Sequence, residues 1–217
     1  MSVIKHSDQR VAIFIDTQNL YHSAKNLYNA KVNFGAIMET VTGKRKLIRA
    51  LAYVITTEAG DETQFFEALT KLGIETKTKD LQIFYGGAKK ADWDVGLAVD
   101  AIRLAPKVDT IVLATGDGDF VPLVNFLKEH FGVQVEVISF GRSSSTKLRE
   151  ACEDFIDMCD HPEKYLMGYR VRRTPSSSLP TKKVRAHTSS TALKKSVRKE
   201  YRDEDLGIFS GDTPVVV

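Results

Sequence analysis

Apolar runs and amphipathic stretches alternate along the first 160 residues. Residues 11–16, VAIFID, form a continuous β-branched and aromatic run, the pattern of a strand buried on both faces. Leu20, Ala24, Leu27 and Tyr28 then recur at helical spacing, and NFGAIMETV (33–41) predicts a second helix. RALAYVIT (49–56) predicts the second strand. ETQFFEALTKLG (62–73) predicts a helix closed by a glycine cap. Residues 74–85 read as a strand, bent where TKTKD interrupts the apolar pattern. DVGLAVDAIRLA (94–105) carries a helical stripe, DTIVLATG (109–116) another buried strand, and 119–132 a helix with Pro122 in its first turn, where proline is tolerated. QVEVISF (134–140) predicts a strand, 145–155 a helix, and FIDM (155–158) a short last strand. Strict alternation of strand and helix makes a parallel sheet with helices on both faces the economical fold. Ligands of such a sheet sit beyond the carboxyl ends of its strands, where strand order reverses.

Composition divides the chain in two. From Lys164 onward 12 Lys and Arg face five acids, giving +7, and the preceding residues carry −4 within the overall +3. The same region turns rich in Ser, Thr and Pro and loses apolar periodicity, so it cannot bury enough surface to offset its ordering entropy. The expectation is a folded domain over 1–160 and a basic, mostly disordered C-terminal tail over 161–217. No apolar run reaches the ~18 residues of a membrane span. The opening MSVIKHSDQR does not read as a signal peptide, and Cys152 and Cys159 read as reduced thiols, so a cytoplasmic location is expected.

Charge within the folded part points to chemistry. Asp16 ends the first strand, Asp117 and Asp119 follow the fourth, and Asp94 opens the helix before it, with Asp92 two residues earlier. These positions converge on one rim of a parallel sheet. Clustered carboxylates repel one another unless a cation lies between them. Mg²⁺ or Mn²⁺ is the natural choice, because hard cations take oxygen ligands and leave room for water and substrate phosphate. The matching reaction is phosphodiester hydrolysis. A single Asp at a strand end also reads as a helix cap. The lack of Asp-x-Asp after strand one argues against a haloacid-dehalogenase-type phosphatase. Asp rather than Glu at Asp16 argues against a Toprim-type site, and the lack of G-x-G-x-x-G after strand one argues against dinucleotide binding.

FIDTQNLYHSA (14–24), KKADWDVGLAVDAI (89–102) and LATGDGDFVPLVNFL (113–127) resemble the three motifs of the NYN domain, in its LabA-like (DUF88) branch, over about Val11 to Met158. That family falls in the PIN-like nuclease superfamily. The resemblance implies a three-layer α/β/α fold around a mostly parallel sheet, with an acidic metal site and metal-dependent cleavage of RNA. It implies catalytic and metal-binding carboxylates at Asp16, Asp94 and Asp117. Asp119 takes a fourth position, as a ligand through water or a helix cap, and Asn19 orders the site. Asp100 matches an acidic position of the family, although six residues beyond Asp94 is ~240° around a helix. Thr17 stands where relatives often have glycine. A regulatory module of the same fold, binding RNA or a protein partner, is the alternative, and a homodimer is compatible with either.

Several residues carry two readings each. Lys89 and Lys90 suit phosphate or form a solvated pair. Trp93 suits a stacked base of single-stranded RNA or a core position. Arg142, followed by three serines, suits phosphate, with serine as a helix cap the alternative. The five histidines show no metal-ligand spacing. The tail clusters containing Arg172, Arg173, Lys182 and Lys183 suit RNA or a ribosome, an anionic membrane surface, or simple solubilisation.

Overall fold

Every residue from Val11 to Ile15 is fully buried, with Val11, Ile13 and Ile15 packed in one hydrophobic cluster and Ala12 and Phe14 in another. A strand apolar at every position needs cover on both faces, and the rest of the fold supplies it. The computed structural model describes residues 3–56, 63–80, 82–83, 89–90 and 93–169. In chain order the elements are β1 (Arg10–Asp16), α1 (Thr17–Tyr28), β2 (Lys31–Val32), α2 (Phe34–Thr42), β3 (Lys46–Thr56), α3 (Thr63–Lys71), β4 (Glu75–Asp80) and β5 (Gln82–Ile83). They continue with β6 (Lys89–Lys90), α4 (Asp94–Leu104), β7 (Thr110–Ala114), α5 (Val121–Phe126), β8 (Gln134–Ser139), α6 (Thr146–Ala151), β9 (Asp154–Asp157), α7 (Pro162–Tyr165) and β10 (Leu166–Met167).

Six strands form one sheet in the order β4-β3-β1-β7-β8-β9, and every pairing in it is parallel. The chain starts at the centre, winds outward through β3 to β4, returns, and winds the other way through β7 and β8 to β9. Leu20, Ile37, Val41, Phe65 and Leu69 cover one face from α1, α2 and α3. Leu97, Ala101, Leu123, Val124 and Leu148 cover the other from α4, α5 and α6. The doubly wound three-layer α/β/α architecture expected from the alternating pattern is therefore present. Among the described residues no helix is long and apolar enough to cross a membrane.

The differences from the sequence pattern are local. The strand expected over 74–85 divides into the edge strand β4 and the short β5, which pairs antiparallel with β6. An edge strand tolerates alternating Lys and Thr, because its outer side needs no partner. The helix expected over 119–132 is three segments, a 3-10 turn at Gly118–Phe120, α5, and a π-helical turn at Leu127–Phe131. The helix expected over 145–155 ends at Ala151, and β9 already begins at Asp154. Regular structure continues past Asp160: α7 and β10 follow, β10 pairs with β2, and Tyr165 and Leu166 are buried.

One polar contact is built into this core. Glu136 on β8 is fully buried and receives two bonds from the buried Arg45 guanidinium, at 2.6 and 3.0 Å, with Lys5 at 3.1 Å and Gln134 also donating. Losing one partner of a buried ion pair strands the other charge. Arg45→Met is expected to lower unfolding stability by about 3–5 kcal/mol. Arg45→Met/Glu136→Leu is expected to recover most of that loss in urea denaturation. Equal losses in the two variants would show that packing, not charge, sets the cost.

Candidate metal centre

β1 and β7 are neighbours at the centre of the sheet, and the chain leaves them toward opposite faces. This is where strand order reverses, and the expected acids gather beyond it. Asp16 caps α1: its Oδ1 accepts the Asn19 backbone N–H at 3.1 Å, and its Oδ2 accepts the Thr115 hydroxyl at 3.0 Å. Thr115 is fully buried, and its Oγ1 also accepts the Asp117 backbone N–H at 3.2 Å. Asn19 Oδ1 accepts the Gly116 backbone N–H at 2.8 Å. Two side chains, Thr115 and Asn19, thus fasten the end of β1 to the turn after β7.

That turn is drawn tightly against the next loop. The Ser145 backbone N–H donates to the Gly116 carbonyl at 2.9 Å. A Cβ on Gly116 would lie 2.8 Å from Ser144 Oγ and 2.9 Å from Ser139 Oγ, so only glycine permits this approach. Asp117 then caps the 3-10 turn by accepting the Asp119 backbone N–H at 2.9 Å. Asp119, which the sequence leaves as ligand or cap, is not the cap.

Asp94, Asp117 and Asp119 each offer a carboxylate oxygen, and these oxygens all lie within 4.8 Å of one another. Asp16 sits beside this trio. Burial pushes its carboxyl up to about 6, the bonds from Asn19 and Thr115 oppose the shift, and the charges of Asp94 and Asp117 add to it. Three carboxylates at this spacing, with a fourth beside them and no nitrogen or sulfur donor in the group, match the donor set of a hard divalent cation. The residues present therefore fit such an ion.

The remaining expected residues lie elsewhere. Asp100 is further along α4, where its carboxylate accepts the Tyr53 hydroxyl at 2.8 Å and pairs with Lys77. These partners hold its carboxyl below the usual range, although partial burial works against them. Trp93 precedes Asp94, donates from its indole to the Val54 carbonyl at 3.1 Å and packs edge-on against Tyr53. Gly96 makes room for it, since a Cβ there would lie 2.5 Å from the indole ring. Arg142 is exposed and reaches the Tyr28 hydroxyl. Ser145 precedes α6 but makes no side-chain cap bond. Thr17, at the position where glycine is common, donates its hydroxyl to the Tyr53 carbonyl and ties α1 to β3. The side chains of Asp92, Lys89 and Lys90, and the whole of Arg172, Arg173, Lys182 and Lys183, lie outside the described residues.

Residues 10–159 match the NYN domain family model. The chain belongs to the NYN domain family. Its relatives within reach include the low amplitude and bright protein LabA of Synechococcus elongatus, 26% identical over 70% of this chain and 84% of that protein. An uncharacterized protein of Methanocaldococcus jannaschii is 28% identical over 69% of this chain and 55% of its own length. A crystal structure of a protein of unknown function from Vibrio parahaemolyticus superposes with a TM-score of 0.68 at 29% identity, covering 76% of this chain and all of that one. An NYN domain with its acidic trio intact is consistent with a metal-dependent nuclease.

Sequence reasoning missed Thr115. The one signal was a hydroxyl closing the apolar run 111–114, just before the glycine. Asp16 also gives a test. A carboxyl raised in the folded state favours the fold while protonated and loses that contribution as pH climbs through its folded value, here between about 4 and 6. In chelator, Asp16→Asn is therefore expected to gain stability over wild type by about 2 kcal/mol between pH 4.5 and pH 7.5. Parallel pH profiles of the two proteins in urea denaturation would contradict the assignment.

Proposed function

We propose that this NYN domain hydrolyses RNA phosphodiesters at the carboxylate cluster Asp16, Asp94, Asp117 and Asp119. The observation that carries the reading is the convergence of three of these carboxylates within 4.8 Å at the strand-order reversal, in a chain of a family related to nucleic-acid chemistry. Asp94, Asp117 and Asp119 would hold Mg²⁺ or Mn²⁺, with Asp16 completing the set. A divalent ion in that set supplies an acidified water and counter-charge for the phosphate.

The chain's own residues supply the geometry. Thr115 and Asn19 fix Asp16 and the Asp117 turn relative to one another, so the carboxylates are positioned before any ligand arrives. Positive groups are needed to bring a polyanion to an acidic rim. The basic stretch beyond Tyr169 takes that role by non-specific phosphate contact. Single-stranded RNA is the substrate class, the cytoplasm the compartment, and the fold from β1 through β10 the catalytic domain of this proposal.

The experiment is cleavage of a labelled mixed-sequence single-stranded RNA by the purified full chain with Mg²⁺, with Mn²⁺ and with chelator. Cutting is expected only with metal, and Asp94→Asn and Asp117→Asn are each expected to reduce its rate by at least about a hundredfold. Cutting that survives both substitutions, or that persists in chelator, contradicts the proposal. Metal-independent RNA binding without cutting, equal in the wild type and the two variants, favours the regulatory module instead.

A further inference from the structure

A second charged feature lies along α4, away from the acidic trio. Between α4 and the edge of the sheet at β3 and β4 is a cavity of about 150 Å³. Among the described residues, Arg49, Lys77, Arg103 and Lys107 line it with one carboxylate, Asp100. That carboxylate is already engaged by Lys77 and the Tyr53 hydroxyl, with Arg103 3.8 Å away. Glu75, next to the cavity on β4, holds Arg49 through a two-bond fork. The acids here orient the cations without cancelling them, and Arg103 remains 76% exposed at the side chain.

Two simpler roles account for parts of this arrangement. Basic residues in the last turn of a helix complement its dipole, and lysines on an edge strand discourage further strand pairing. Neither requires cations from β3, β4 and α4 to face one cavity around a shared internal carboxylate. The row also extends toward the acidic rim. Lys79 lies two residues beyond Lys77 on β4, and its ammonium is 5.8 Å from the Trp93 ring, next to Asp94. Lys79, Lys77, Arg103 and Lys107 thus follow α4 from its first turn to just past its last. Arg103 is nine residues from Asp94, a rise of ~14 Å. A single small anion would need one of these cations. A line of them suits a chain of phosphates.

We propose that the groove between β4 and α4 is the path of the RNA backbone leaving the acidic centre, with Arg103 and Lys107 contacting phosphates a few nucleotides from the one being cut. The proposal rests on RNA being the substrate of this domain. It concerns where the strand runs, not how it is cleaved.

The test uses the full chain and fluorescein-labelled oligouridylate, with binding read by anisotropy in chelator across a salt series. Arg103→Ala/Lys107→Ala is compared with Lys44→Ala/Lys71→Ala, which removes the same charge from exposed positions elsewhere, so any tail contribution is common to both. The first pair is expected to weaken binding about tenfold at low salt and to reduce the log–log salt slope by about 1.4, with little change in the second. Arg103→Glu/Lys107→Glu is expected to weaken it further. Circular dichroism checks that the folds match. Equal affinities and slopes for the two alanine pairs overturn the groove, whether or not the wild type cleaves RNA. A slope loss confined to the first pair supports the groove even if no cleavage occurs, in which case the nuclease reading alone fails. A wild-type chain that neither binds nor cuts overturns both.

Discussion

The structure depends on β1 and β7 lying side by side in parallel while their chains depart to opposite faces. Neighbouring strand ends that diverge leave a gap no helix fills, and backbone groups there need side-chain partners. Asp16, Asn19 and Thr115 are those partners. Asp16 accepts one bond from the start of α1 and one from Thr115; Asn19 holds Gly116; Thr115 holds Asp117. The same hydrogen bonds that join the two strand ends hold Asp16 and the Asp117 turn in place. Removing Thr115 would therefore disturb stability and site geometry together.

Four aspartates show how surroundings divide structural from chemical roles. Asp109 lies at the opposite end of the sheet, and Arg10 holds its carboxyl down to about 2 through two side-chain bonds and one backbone bond. Asp100 is held down by Lys77 and Tyr53. Both are neutralised by partners and serve to fix neighbours. Asp16 moves the other way because burial outweighs its hydrogen bonds. Asp94 lies among like charges, its oxygen within 4.8 Å of those of Asp117 and Asp119. Two of these residues, Asp94 and Asp100, are on one helix, and their difference comes from which side of α4 they occupy.

The central strands and the acidic rim were legible in sequence because both depend on local pattern. Unbroken apolar runs at 11–15 and 111–114 can only be buried on both faces, and an Asp directly after the first or three residues past the second must lie at the sheet's carboxyl rim. Features set by distant partners were not legible. The Arg45–Glu136 pair joins positions 91 residues apart, and nothing near either residue signals the other. The short α6 reads as longer because Leu148, Cys152 and Phe155 recur at helical spacing. The chain turns instead at Cys152, where the Glu153 backbone N–H donates to Val135 and starts β9. Asp100 fits its motif by spacing, but Lys77 on an edge strand and Tyr53 on its neighbour decide what it does.

The central claim is that Asp94, Asp117 and Asp119 form one divalent-cation site. Anomalous scattering at the manganese edge, from crystals of the full chain grown with Mn²⁺, addresses it without reference to any substrate. A manganese peak bonded to oxygens of at least two of these carboxylates is expected, lost in crystals of Asp94→Asn. A saturating Mn²⁺ concentration that leaves all three carboxylates without a peak, in a crystal where they are not engaged by a neighbouring molecule, would contradict it.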